Sequence, residues 1–200
     1  MKHFYLKFFS LSLFLFAPHF LSATLEEDFL DAITNDNVKR IQELQGQGAD
    51  VCGVYNGMAP LHAAAAAGAN GIITYLLAQG VPVDVKGSCN KTALHWAIQN
   101  DKKETVALLL ERGANSFTFA WADDQNGMNP LMYAVNYAGS GIVKLLLAKG
   151  AHISAINAKG QNAFDIAYAL RKGRICAIFG NSKEMRNSIQ RAMEKIQSKS

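Results

Sequence analysis

Three cysteines, four prolines and a charged fraction of only 18% in 200 residues exclude several kinds of protein. A cysteine-dense secreted scaffold, a proline-rich linker and a highly charged disordered chain each need more of one residue type than is present. No stretch reaches the roughly 20 consecutive apolar residues that a membrane-crossing helix requires. The apolar run Phe8–Ala17 is interrupted by Pro18-His19. Motifs of catalytic chemistry are missing as well. There is no nucleophile elbow, and Gly68–Gly71 lacks the Lys-Ser/Thr ending of a phosphate loop. No Cys or second His stands at metal-ligand spacing from His62 or His95, and His152 is isolated. No catalytic residue, metal or cofactor is expected.

What is present is apolar: 50% of the chain is hydrophobic, ample for a buried core. Met1–Ala23 divides into a start with Lys2 and Lys7 and no acid, the apolar centre Phe8–Ala17, and the small-residue exit Leu21-Ser22-Ala23. That order reads as a secretory signal peptide over 1–23, with an uncleaved N-terminal anchor as the alternative. Export to the periplasm or the medium is expected, with no stable membrane insertion after cleavage. Removing Lys2 and Lys7 leaves 18 basic against 16 acidic side chains, a net charge of +2. A nucleic-acid binder usually advertises a concentrated basic face, so none is expected here. The basic excess sits at the end of the chain, where 171–200 carries eight basic and two acidic residues.

Between these ends the sequence repeats. Ala59-Pro60-Leu61-His62-Ala63-Ala64 recurs as Thr92-Ala93-Leu94-His95-Trp96-Ala97. It recurs again as Asn129-Pro130-Leu131-Met132-Tyr133-Ala134, and then as Asn162-Ala163-Phe164-Asp165-Ile166-Ala167. The period is roughly 33 residues, with one longer step before Asn129. Leu76-Leu77-Ala78-Gln79-Gly80, Leu109-Leu110-Glu111-Arg112-Gly113 and Leu146-Leu147-Ala148-Lys149-Gly150 keep the same register. Helical spacing recurs after each first marker, as in Ile72, Ile73, Leu76 and Leu77. Gly80, Gly113 and Gly150 then fall where a helix takes a left-handed terminator. Thr92 and Asn129 stand where they can cap the first helix.

These markers resemble the ankyrin-repeat family, whose unit is a β-turn and two antiparallel helices with a T-P-L-H-x-A signature. The resemblance covers Leu25 to about Phe179, although no unit keeps the whole T-P-L-H, and Met132 and Asp165 replace its histidine. It implies an all-α solenoid of about five helix-turn-helix units with β-hairpin fingers, spanning 24–180. The units lie near 25–55, 56–88, 89–125, 126–158 and 159–180. Residues 181–200 form a basic amphipathic helix that caps the stack or engages a partner. The first unit, with Phe29, Ala32, Ile41 and Leu44 in register and Gln45 where later units have Leu, reads as an N-terminal cap. In this family the signature histidine is structural, which is the expectation for His62 and His95.

The third finger is longer than its neighbours: it runs from Gly113 to Pro130, whereas they run only from Gly80 to Ala93 and from Gly150 to Ala163. Phe117, Phe119 and Trp121 alternate with small residues there, a strand pattern with one aromatic face. Aromatic anchors suit partner binding, the alternative being that the rings fill space beside the helices. By resemblance, partners bind the finger tips and the exposed side of the first helices. Those positions are Tyr55, Asn56 and Met58, then Lys91, Gln99 and Asn100. Gln125, Asn126, Met128, Asn136, Tyr137, Lys159 and Gln161 complete the set. Such a polar, lightly charged groove fits a protein partner, and the chain is expected to be a monomer.

Cys52 and Cys89 lie in neighbouring fingers, one near a base and one near a tip. This offset argues against a bridge, which needs Cα atoms within about 7 Å, but leaves a disulfide as the alternative to free thiols. Cys176 takes a core position. A thiol-based redox role, an enzyme-assisting role in the periplasm, and a secreted effector acting on a host protein are the competing functional readings.

Overall fold

The computed structural model describes residues 27–53, 58–120, 127–180 and, near the C-terminus, 190, 191 and 194. The expected signal segment, the finger residues Tyr55, Asn56, Trp121, Gln125 and Asn126, and all but three residues of 181–200 lie outside the described residues. The described chain forms five helix pairs. They are α1 (27–34) with α2 (Val38–Gly46), α3 (Pro60–Ala67) with α4 (Asn70–Ala78), and α5 (Ala93–Gln99) with α6 (Lys103–Glu111). α7 (Pro130–Tyr137) pairs with α8 (Ser140–Ala148), and α9 (Ala163–Ala169) with α10 (Gly173–Phe179).

Side-chain size sets how the pairs stack. Ala64, Ala65, Ala97, Ala134 and Ala167 are fully buried, so the first helices approach closely, α3 on α5 on α7 on α9. Leu61, Leu94 and Leu131 fill the space between them, and Ile72, Leu76, Val106, Leu109, Ile142 and Leu146 do so for the second helices. The first helices meet one another more extensively than the second helices do, so the stack curves toward the first-helix side. One continuous core results, from Phe29 in α1 to Phe179 in α10. The second helices α4, α6 and α8 each end on a left-handed glycine, Gly80, Gly113 or Gly150, with φ of 86–87°.

The start of each first helix is closed by a contact between the residues three apart in the signature. The His62 Nδ1 accepts the Ala59 N–H at 3.1 Å, and the His95 Nδ1 accepts the Thr92 N–H at 3.3 Å. The Thr92 hydroxyl meets that same ring nitrogen at 3.0 Å. Where Met132 replaces His, the neighbouring Asn compensates: Asn129 Oδ1 accepts the Met132 N–H at 2.9 Å. Asp165 takes over from the histidine in the last unit, accepting the Asn162 N–H while Asn162 Oδ1 accepts the Asp165 N–H, both at 2.9 Å.

Polar side chains also join one pair to the next. Asp36, in the left-handed turn between α1 and α2 (φ 50°), accepts the Gly71 and Ile72 N–H groups at the start of α4 at 3.1 and 2.8 Å. Asp101, also left-handed, accepts the Gly139 N–H before α8 at 3.2 Å. Thr105 donates to Asn70 at 2.7 Å and Tyr75 to Gln45 at 2.6 Å. The wetter α2 thus uses Gln45 as a partner where later units place leucine. Lys172 donates to the Val135 and Asn136 carbonyls at 2.6 and 2.8 Å, closing the end of α7.

Of the expected hairpins, the described residues show turns and a single bridge. Among the described residues there is no regular strand. The third finger has one antiparallel bridge, Ala120 to Met128, and the second and fourth are turns closed by Gly87 N–H to Lys91 O and Asn157 N–H to Gln161 O, both 2.9 Å. Alternation at Phe117 and Phe119 does not produce a strand, because Asn115 imposes a turn. Its Oδ1 accepts the Phe117 N–H at 2.8 Å while its own N–H is held by Asp84 at 3.0 Å.

Removing the Asp36 carboxylate leaves two N–H groups of α4 without their partner and a non-glycine residue in a left-handed turn. Asp36→Ala is expected to lower stability by about 1–2 kcal/mol in urea denaturation, with Asp36→Asn losing less. A change within about 0.5 kcal/mol would show that this cap does not hold the first two pairs together.

Candidate functional site

The variable position of the signature decides what the concave face presents. It is Ala63 in α3, Trp96 in α5, Tyr133 in α7 and Ile166 in α9. Helical spacing places Ala66 and Ala67, Gln99 and Asn100, Asn136 and Tyr137 one turn further along the same rows. Half-buried Trp96 is the large group this row brings to the surface, beside a shallow floor of half-buried alanines on α3, whereas Tyr133, at 1% exposure, and Ile166 are buried in the stack.

Lys91 completes the cluster. It immediately precedes the α5 cap, where the other units carry Met58, Met128 and Gln161. Its Nζ lies 4.8 Å from the centre of the Trp96 ring and 5.7 Å from that of Tyr133, and it donates to Gln99 Oε1 at 3.2 Å. Tyr137 packs against Tyr133 with ring centres 5.0 Å apart and is 44% exposed. The result is a cation resting on two aromatic faces, with a third ring open to solvent.

Beneath this surface lies His95, fully buried and edge-on to Tyr133 at 5.1 Å. Because its Nδ1 accepts from Thr92, the ring proton belongs on Nε2. In the preceding unit the equivalent nitrogen has a partner: His62 Nε2 meets the Val85 carbonyl of the next finger at 2.9 Å. His95 Nε2 faces the Thr118 and Met128 carbonyls of the longer third finger without reaching hydrogen-bond geometry. Trp96 Nε1 is likewise buried with no partner. Burial holds the His95 pKa down to about 4 and pushes that of His62 down too, so both rings are neutral at physiological pH.

Lys91 meets Gln99 directly and is linked to Tyr137 through the Tyr133 ring, while Asn136, next to Tyr137 in α7, is half-buried. Asn100 is exposed but donates to the Trp96 carbonyl at 2.9 Å, finishing α5. Met58 is half-buried. Met128 is a core residue at 6% exposure, because its backbone pairs with Ala120 and turns the side chain inward; it is not part of the open face. At the fourth finger, Lys159 is exposed and Gln161 half-buried, both with backbone N–H groups held by Asn157. Phe117 and Phe119 are both exposed. Phe117 leans on His152 with ring centres 5.2 Å apart, and the Phe119 backbone carbonyl accepts from Asn90 at 2.6 Å. Cys52 and Cys89 are exposed and unbridged, and Cys176 packs partly against the core. Trp96 and Tyr133 are absent from the positions expected by sequence. The signal that exposes them is register: both fall at the one variable site of the signature.

The His95 environment has a measurable consequence. In the unfolded chain its pKa returns to about 6.5, so between pH 6.5 and 4 the unfolded state binds the extra proton. Stability contributed by the neutral ring is full above pH 6.5 and is lost as the pH falls toward 4. Urea denaturation is expected to show about 2 kcal/mol less stability at pH 5 than at pH 7.5 from this group. His95→Gln should flatten that part of the profile; an unchanged slope would sink the assignment.

Among the described residues no three His, Cys, Asp or Glu side chains converge on a possible metal position, and no helix is long and apolar enough to cross a membrane. A family model for ankyrin repeats, three copies, matches residues 29–120 and 70–157. The chain is 37% identical over 87 residues to the B-cell lymphoma 3 protein homolog of Mus musculus, covering 44% of this chain and 19% of that protein. It is 29% identical over 145 residues to an L-asparaginase of Dirofilaria immitis, covering 72% and 24%. It is 31% identical over 163 residues to the SH3 and multiple ankyrin repeat domains protein 2 of Homo sapiens, covering 79% and 9%. The chain thus spans less than a quarter of the length of each of these relatives. With the family model extending over more than half of its residues, the chain belongs to the ankyrin-repeat family.

Proposed function

We propose that this chain is a non-catalytic interaction protein, exported from the cytoplasm, that captures a protein partner through the concave first-helix and finger surface. The observation that carries this reading is Lys91 held over half-buried Trp96 and buried Tyr133, with the exposed Tyr137 ring packed against Tyr133. Aromatic rings at the centre of a surface are the residues that dominate binding energies. Here the rings within a partner's reach are half-buried Trp96 and exposed Tyr137, at the two places where α3 has only Ala63 and Ala67. The rim of amides at Gln99, Asn100 and Asn136 supplies hydrogen-bonding groups that suit a polypeptide.

Support for export comes from Met1–Ala23 alone, whose charge and apolar order fit a cleaved signal. N-terminal sequencing of the protein recovered from the exported fraction is expected to begin at Thr24. A chain that begins at Met1 would remove the basis for cleavage.

The binding reading is tested by affinity capture from that same fraction. The paired substitution Gln99→Ala with Tyr137→Ala is expected to weaken capture of each partner by about tenfold or more, with the melting temperature unchanged. Lys144→Ala, on the exposed side of α8, is expected to have no effect. If the paired variant captures the same proteins at the same strength, the concave assignment is wrong.

A further inference from the structure

We propose that the concave face reads an acidic residue: Lys91, poised over Trp96 and Tyr133, is the docking point for an Asp or Glu carboxylate in an extended segment of the partner protein. The inference rests on the concave binding surface proposed above and adds the chemistry of what it takes.

The first support is the state of Lys91. An ammonium carries three N–H donors, and the structure accounts for one, on Gln99 Oε1. Lys91 forms no ion pair with any described carboxylate. It is half-buried, and its ring contacts fix it in place, so a partner's carboxylate meets a cation that has already lost much of its side-chain freedom. A cation held beside low-polarity ring faces attracts an anion more strongly than a freely hydrated surface lysine does.

The second support is the charge around it. Among the described residues, Asp84, Asp101 and Asp165 are turned to backbone N–H groups: Asp84 holds Asn115, Asp101 holds Gly139, and Asp165 holds Asn162. Lys91 is therefore complementary to an incoming acid. Its position is also particular to one unit, since Met58, Met128 and Gln161 occupy the matching place elsewhere. The third support is the ground beside it. Ala63, Ala66 and Ala67 form a low floor on one side and the Tyr137 ring stands on the other, which gives apolar footing to residues flanking the acid.

The test uses random dodecapeptides displayed on phage, selected on purified full-length protein and on its Lys91→Gln and Lys91→Glu variants, with thermal melts as a check of folding. The wild type is expected to enrich Asp or Glu at one position next to apolar residues. Lys91→Gln should lose that enrichment and bind the selected peptide about tenfold or more weakly, and Lys91→Glu should enrich Lys or Arg at the same position. An unchanged acidic preference in Lys91→Glu overturns the inference. So does a wild-type preference for Lys or Arg, the outcome expected if a foreign ammonium displaces Lys91 from the rings. Peptides that bind without charge preference but lose affinity with Tyr137→Ala overturn the acid reading and leave the concave surface standing. Peptides indifferent to Tyr137→Ala, or no selectable peptide, count against both.

Discussion

A two-helix unit of this size cannot cover its own apolar face, so each helix pair is stable only where the next one lies against it. Everything else in the structure answers to that constraint. Fully buried alanines at Ala64, Ala97, Ala134 and Ala167 let adjacent first helices close, while leucines and isoleucines fill what remains. The polar contacts serve the same end. Asp36, Asp84 and Asp101 each reach across to backbone N–H groups of the following unit, and Lys172 reaches back to the carbonyls ending α7. Such contacts fix the register between pairs, which apolar packing alone, being non-directional, does not.

Within each unit the start of the first helix must be closed, and the chain does so in chemically different ways. Imidazole, amide and carboxylate acceptors at His62, Asn129 and Asp165 all serve backbone N–H groups three residues apart. A signature that looks degraded is therefore intact as hydrogen bonding at Asp165 and half kept at Met132, where Asn129 accepts the Met132 N–H and the thioether returns no acceptor. The requirement is an acceptor at the right place, not a particular residue.

This explains what could be read from the sequence. Periodic leucines, the alternation of His, Met and Asp at one register position, and Gly80, Gly113 and Gly150 all report local needs of a helix pair, and local needs leave marks at fixed spacing. The finger conformation was not legible, because alternation at Phe117 and Phe119 is outweighed by a turn that Asn115 makes with help from Asp84 in another unit. Met128 was misplaced for a similar reason: its position in a finger implied exposure, whereas its pairing with Ala120 buries it. Lys91, Gln99 and Tyr137 were found by position. An aromatic residue inside a helix pattern reads as core, which holds for Tyr133 but hides half-buried Trp96, and only the stacked geometry shows Lys91 over both rings.

The extra length of the third finger connects these points. In the preceding unit, a finger of ordinary length delivers the Val85 carbonyl to His62 Nε2. One unit later the longer finger sets the Thr118 and Met128 carbonyls facing His95 Nε2 without closing a hydrogen bond, directly below Tyr133. An unmet buried donor costs about 1–3 kcal/mol. Natural sequences keep such local conflicts chiefly where function requires them. Of the two signature histidines, only the one under the aromatic cluster carries the conflict. The lengthened finger and the placing of Trp96 and Tyr133 at the variable site thus belong to one departure from the regular repeat. That departure loosens the hydrogen bonding of the stack at its centre and gives the concave face the features that set it apart from its neighbours.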